Sequence, residues 1–185
     1  TKPTALSFEE AAAAPGAGMT ALACLSRAKI QPGQKVLVYG ASGAVGTNAV
    51  QLASRHWGAS VTGVCSAANL ELVKSLGASQ VLDYNQQDFT QSGESYDVIF
   101  DAVGKLVPAE GKKALKPGGV YLNVHTDSEG GDSPAKLLAL KDILAAGQIK
   151  PVIDRVYPFE QMVEAHRYVD KGHKKGNVVI QVAQR

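Results

Sequence analysis

Cysteine is scarce in this chain of 185 residues, which has only Cys24 and Cys65. Two thiols cannot build a zinc lobe or a secreted disulfide framework. No apolar stretch reaches the ~18 residues needed to span a membrane. The first residues carry Glu9 and Glu10, not the basic segment that opens a signal peptide. Charge is also sparse, at 19% against a typical ~25%. Nineteen Lys+Arg stand against 17 Asp+Glu, and no basic run is longer than Lys174-Lys175. Neither nucleic acid nor a membrane is therefore an expected partner, and a cytoplasmic location is the expectation left.

Hydrophobic residues, at 45%, are plentiful enough to exclude intrinsic disorder. A chain of this length buries roughly 70% of its unfolded surface, so one self-sufficient domain with appendages is expected. It opens on Thr1 rather than Met, which suits a piece of something longer.

Ser7-Phe8-Glu9-Glu10 reads as a capping box, and the alanines that follow favour helix until Pro15-Gly16. A second helix is predicted from about Met19 to Ala28. From there strands and helices alternate. Strands are expected at Lys35–Tyr39, Ser60–Cys65, Gln80–Asp83, Asp97–Asp101 and Val120–Val124. Helices are expected after Gly43 to about Trp57, over Ala67–Leu76 and, weakly, over Val107–Leu115. Such alternation implies a parallel sheet covered on both faces, a doubly wound α/β (Rossmann) fold. Beyond Val124, His125 to Ser133 reads as a polar, mobile loop. A helix over Ala135–Ala146 follows, then an extended run Ile149–Val156, an amphipathic stretch Phe159–Val169 and a last strand Asn177–Val182. The expected division is a dinucleotide-binding domain at 1–148 and a C-terminal return segment at 149–185.

The strongest signal is Gly40-Ala41-Ser42-Gly43-Ala44-Val45-Gly46, set between a β-branched strand and a helix. In G-x-x-G-x-x-G the first glycine permits the tight turn. The second lets backbone amides approach a pyrophosphate, and the third lets helix pack on strand. The free amides of Ala44, Val45 and Gly46 at the helix start form an anion site.

Taken in order, Tyr39 to Gly46, Ser75-Leu76-Gly77-Ala78, Leu82-Asp83-Tyr84, Phe100-Asp101-Ala102-Val103-Gly104 and Lys116-Pro117-Gly118-Gly119 resemble one family. It is the medium-chain dehydrogenase/reductase superfamily, in its zinc-independent, quinone-oxidoreductase-like branch. Lys150 to Pro158 and Ala165-His166-Arg167-Tyr168 resemble its return segment. The resemblance implies the cofactor domain of an enzyme that passes hydride from NADP(H) to a conjugated carbonyl, such as a quinone or enone. Other readings left open are an enoyl-thioester reductase module and a non-catalytic NADPH-binding module. A small carbonyl compound is the implied substrate and a homodimer the assembly left open.

The same resemblance puts Thr20 near the nicotinamide, Ser66 and Asn69 in the loop that meets the 2′-phosphate, and Tyr84 at the adenosine end. It puts Ala102, Asn123, Val124 and His125 along the nicotinamide ribose and ring. Thr20 equally suits a helical threonine bonding a carbonyl, and Tyr84 a half-buried strand-end aromatic. Of the histidines, His56, His166 and His173 read as structural or solvated, and His125 as the one worth testing.

No metal is expected, because the zinc-containing branch has a cysteine four residues before the nicotinamide-side threonine, and Gly16 stands there. Preference for NADPH is expected because the second strand ends Val64-Cys65-Ser66-Ala67-Ala68-Asn69, with no acid before Glu71 to accept both ribose hydroxyls. Ala68 stands where relatives often carry a base, so the preference should be modest. Lys174 and Lys175 read more readily as flexible surface lysines than as the replacement. Two parts of the family pattern are missing. One is the substrate-side domain that precedes this segment, without which little turnover is expected. The other is a strand and helix between Val124 and Ile149, whose junction is placed at Asp127 to Asp132.

Overall fold

The computed structural model describes residues 2–129 and 133–182. The capping box forms as read: Glu10 N–H donates to Ser7 Oγ (3.1 Å) and Ser7 N–H to Glu10 Oε2 (2.9 Å). It starts α1, Phe8–Ala13. Pro15 does not end the helical region, however. It is the first residue of α2, Pro15–Ser26, which therefore begins four residues before the predicted start. Proline is tolerated there because the first turn has no partner for its missing N–H.

Strands β1 (Lys35–Tyr39), β2 (Ser60–Cys65), β3 (Gln80–Asp83), β4 (Tyr96–Asp101) and β5 (Leu115–Asn123) form one parallel sheet in the order β3-β2-β1-β4-β5. This is the doubly wound order, with the chain reversing direction across the sheet between β1 and β4. Both faces are buried, as a parallel sheet requires. Val36, Val38, Val61, Val98 and Phe100 pack on one side with α2 and α3 (Ala44–Gln51). Leu37, Val64 and Ile99 point to the other side and meet Phe89 and Tyr96. Each such side chain contributes about 1.5–3 kcal/mol of burial.

Helix α3 runs on through a π-helical turn, Leu52–His56, and α4 (Leu70–Ser75) is entered by a 3-10 turn, Ala67–Asn69. The weak helix shrinks to α5, Pro108–Lys112. Strand β5 begins at Leu115, earlier than predicted, because Tyr96 pairs with Leu115 and Val98 with Val120. The residues between them bulge out of the ladder, so Pro117-Gly118-Gly119 interrupts the pairing instead of preceding the strand.

Val124 is not the strand end. With His125 to Asp127 it forms α6, capped by Asn123, whose Oδ1 accepts from His125 N–H (2.9 Å). The predicted loop thus begins with a helical turn, and its Gly130, Gly131 and Asp132 lie outside the described residues. Helix α7 is Pro134–Ala145.

The return segment forms β6 (Ile153–Pro158), a 3-10 turn, α8 (Met162–Asp170) and β7 (Asn177–Gln181). Strands β6 and β7 pair with each other in a separate parallel sheet. Buried Gln51 ties this segment to α3: its Oε1 accepts from Lys150 N–H and its Nε2 donates to Lys150 O, both at 2.9 Å.

Candidate dinucleotide site

A cleft of about 730 Å³ opens at the carboxyl ends of β1, β2 and β4, where the sheet reverses its winding. Open α/β sheets bind ligands at that place. Its floor is the glycine loop. Gly40 has φ +77°, and a Cβ there would lie 2.0 Å from Val103 Cγ2. Gly43 caps α3 in an extended conformation (φ −76°, ψ 177°). Ser42 and Gly43 face the cleft, and the amides that open α3 stand directly behind them.

The structure brings Gly40, Ser42, Gly43, Ser66, Asn69, Tyr84 and Ala102 together on the wall of this cleft. Tyr84 is half exposed at its edge. Ala44, Val45 and Gly46 form the first turn of α3, next in the chain to Gly43, and are not themselves on the cleft wall.

Thr20 is not on the cleft wall. Its hydroxyl donates to Gly16 O in its own helix (2.9 Å). Asn123, Val124 and His125 also lie off the wall. Asn123 is occupied by capping α6 and by buried Asp101 (Nδ2 to Oδ2, 3.4 Å). Exposed His125 instead lays its ring against Gly104, where a Cβ would meet it at 2.1 Å. Asp101 is fully buried and accepts from the amides of Val103, Gly104 and Leu106 (2.8–3.0 Å). It thereby fixes the β4–α5 turn whose Val103 and Lys105 line the cleft.

The far wall corresponds to the less favoured of the two sequence readings of Lys174 and Lys175. It is the turn after α8, with His173 and Lys174 facing in. Gly176 N–H donates to Ser42 O (2.9 Å), which docks the turn onto the glycine loop. Lys174 is half buried. Its Nζ donates to Gly176 O (2.7 Å), and no carboxylate among the described residues lies within ion-pair distance. Burial holds its pKa below the usual lysine value, against a smaller pull from Asp154. It is therefore a placed cation short of a counter-charge, not the flexible surface lysine expected. His56 reaches Gln148 (2.8 Å) on the opposite side of the domain.

Among the described residues no three His, Cys, Asp or Glu side chains gather as a metal site. Both thiols are buried. Burial, helped by Asp127 beside Cys24 and Asp83 beside Cys65, pushes each up to about 11. At pH 8 the native thiols should react with Ellman's reagent at least ~100-fold more slowly than in the urea-unfolded chain, because the thiolate attacks. Equal rates would contradict that burial.

The cleft and its winding define the class: a dinucleotide-type site on a Rossmann-like domain. The zinc-binding dehydrogenase family model matches residues 76–139 and 124–180. The chain is 38% identical, over 193 aligned positions, to a 2-methylene-furan-3-one reductase of Solanum lycopersicum, covering 97% of this chain and 48% of that protein. With an NADPH-dependent alkenal/one oxidoreductase of Arabidopsis thaliana, described as chloroplastic, it shares 34% over the same 97% and 48%. The solved quinone oxidoreductase of Coxiella burnetii superposes with a TM-score of 0.86 at 28% identity, covering 99% of this chain and 63% of that one. The chain belongs to the zinc-binding dehydrogenase family, in the quinone-oxidoreductase-like branch of the medium-chain dehydrogenase/reductase superfamily. It spans about half the length of the curated relatives it matches. No helix among the described residues is long and apolar enough to cross a membrane.

Proposed function

We propose that this chain is the NADP(H)-binding part of a zinc-independent reductase of quinones or enones. The observation that carries the reading is the glycine loop at the winding reversal, with a cleft-lining Gly43 capping an eight-residue helix. The activities of these relatives and the NADPH dependence of the Arabidopsis protein support it. When bound, the dinucleotide supplies hydride from its nicotinamide. The loop amides hold the pyrophosphate, Tyr84 flanks the adenosine, and Ser66 and Lys174 face the ribose phosphate.

In the same reading residues 1–148 form the dinucleotide-binding domain, and the return segment 149–185 lends Lys174 to its cleft and presents its exposed Val156, Phe159 and Val163 to a substrate-side domain. A small carbonyl compound is the substrate, a second copy the assembly partner, and the cytoplasm the location.

Calorimetric titration tests the reading directly. NADPH should bind about tenfold tighter than NADH, or ~1.4 kcal/mol; equal or tighter binding of NADH would overturn it. Lys174→Met should remove most of that margin, lowering NADPH affinity about tenfold and NADH affinity less than twofold, since only the extra phosphate needs the charge. An unchanged ratio would leave Lys174 as packing alone.

A further inference from the structure

Ser42 and Ser66 stand on two different loops, yet one side chain holds both. Asn69 Nδ2 donates to Ser42 Oγ and to Ser66 Oγ, each at 3.1 Å. Asn69 is only 8% exposed, and its Oδ1 is buried with no hydrogen-bond partner among the described residues. A buried acceptor left alone is uncommon in native proteins and calls for a reason.

The reason lies in what the amide does to the two hydroxyls. An amide nitrogen carries two hydrogens, and here each is given to one serine. A hydroxyl that accepts keeps its own proton to give elsewhere. If the amide were turned over, Oδ1 would take both hydroxyl protons and Nδ2 would become the orphan. The orientation of one amide therefore decides whether two cleft-lining serines offer hydrogens or lone pairs to a ligand. A phosphate takes only hydrogens, whereas a ribose hydroxyl can give or accept. Ser42 is further fixed by the Gly176 amide on its carbonyl.

We propose that Asn69 is a positioning residue that sets Ser42 and Ser66 as paired hydrogen donors, and so selects the 2′-phosphate of NADPH over the 2′-hydroxyl of NADH. This rests on the NADP(H) reading above. Asn69 itself does not touch the phosphate.

The test is titration of the full chain and its variants with NADPH and NADH, read as the ratio of the two affinities. Asn69→Ala, which frees both hydroxyls to turn, should lower the ratio about fivefold. The near-isosteric Asn69→Asp, which draws both hydroxyl protons to itself, should lower it about thirtyfold or more. That order is the reverse of what a merely structural role gives, because aspartate fills the same space better than alanine. In a Ser42→Ala, Ser66→Ala background, Asn69→Ala should leave the ratio unchanged. This comparison decides the matter should the aspartate variant not fold. An unchanged ratio in the single variants, a milder effect of aspartate than of alanine, or a further fall in the serine-free background would each overturn the proposal. Equal binding of NADPH and NADH by the unaltered chain would instead overturn the cofactor reading beneath it, and the proposal with it.

Discussion

Gly46→Ala is expected to cost about 3 kcal/mol of folding stability, a large share of the 5–15 kcal/mol that holds a typical domain. The argument is steric. A Cβ on Gly46 would lie 2.1 Å from Gly40 O and under 3.0 Å from Ala41 Cα and C. All three are backbone atoms of the turn that leaves β1, so no side chain can swing aside. Helix α3 would have to lift from the sheet. That movement strains the amides that close the turn, Gly43 N–H to Gly40 O and Thr47 N–H to Gly43 O. Overpacking of this kind usually costs 1–3 kcal/mol, and more where backbone meets backbone. Gly16→Ala is the matched control, because a Cβ there meets nothing within 4 Å. In the first turn of α2 it should be neutral or stabilising by up to about 1 kcal/mol. Urea unfolding of both variants makes the comparison. A Gly46→Ala midpoint indistinguishable from the control would mean the third glycine of the motif is not a packing glycine.

The features read correctly from the sequence were those with a local cause. The capping box, the β-branched runs ending at Tyr39 and Cys65, and the strand–glycine–helix passage are each written within a few neighbouring residues. Errors arose where a local signal had two outcomes. Pro15 can stop a helix or start one, and here it starts α2. Pro117-Gly118-Gly119 can turn or bulge, and the pairing of Tyr96 with Leu115 makes it a bulge. Asn123 reads as strand, but its carboxamide caps α6 and takes Val124 and His125 out of the sheet.

The site was legible to the same degree. The residues gathered in the cleft from the ends of β1, β2, β3 and β4 all follow strands that periodicity reveals. Thr20, placed by resemblance alone, donates its hydroxyl proton to Gly16 O, as the helical reading of the same residue expects. The wall made by Lys174 was weighed in the sequence only as the less favoured reading of two basic residues. It exists because Gly176 meets Ser42 across most of the chain, and because Asp154 holds the same turn by accepting from Lys175 N–H (3.0 Å). Contacts so distant in sequence leave no periodic trace.

Gly43→Val should do the opposite of Gly46→Ala, sparing the fold and abolishing dinucleotide binding. Gly43 already has the extended backbone that valine prefers (φ −76°, ψ 177°). A Cβ there meets only Gly40 O, at an ordinary 3.6 Å. Stability should therefore stay within about 1 kcal/mol of the parent chain. The cleft, however, runs along Gly43, and the two added methyl groups would stand over the amides that open α3. A pyrophosphate could no longer reach them. Affinity for NADPH should fall at least ~100-fold, about 2.7 kcal/mol, and affinity for NADH should fall equally, because both carry the pyrophosphate. That equality separates this position from Lys174 and Asn69, whose replacement should act on NADPH alone. Calorimetric titration beside a urea midpoint reads both quantities on one preparation. Undiminished NADPH affinity in a folded Gly43→Val chain would mean that the loop is only a turn and that the dinucleotide, if it binds, lies elsewhere.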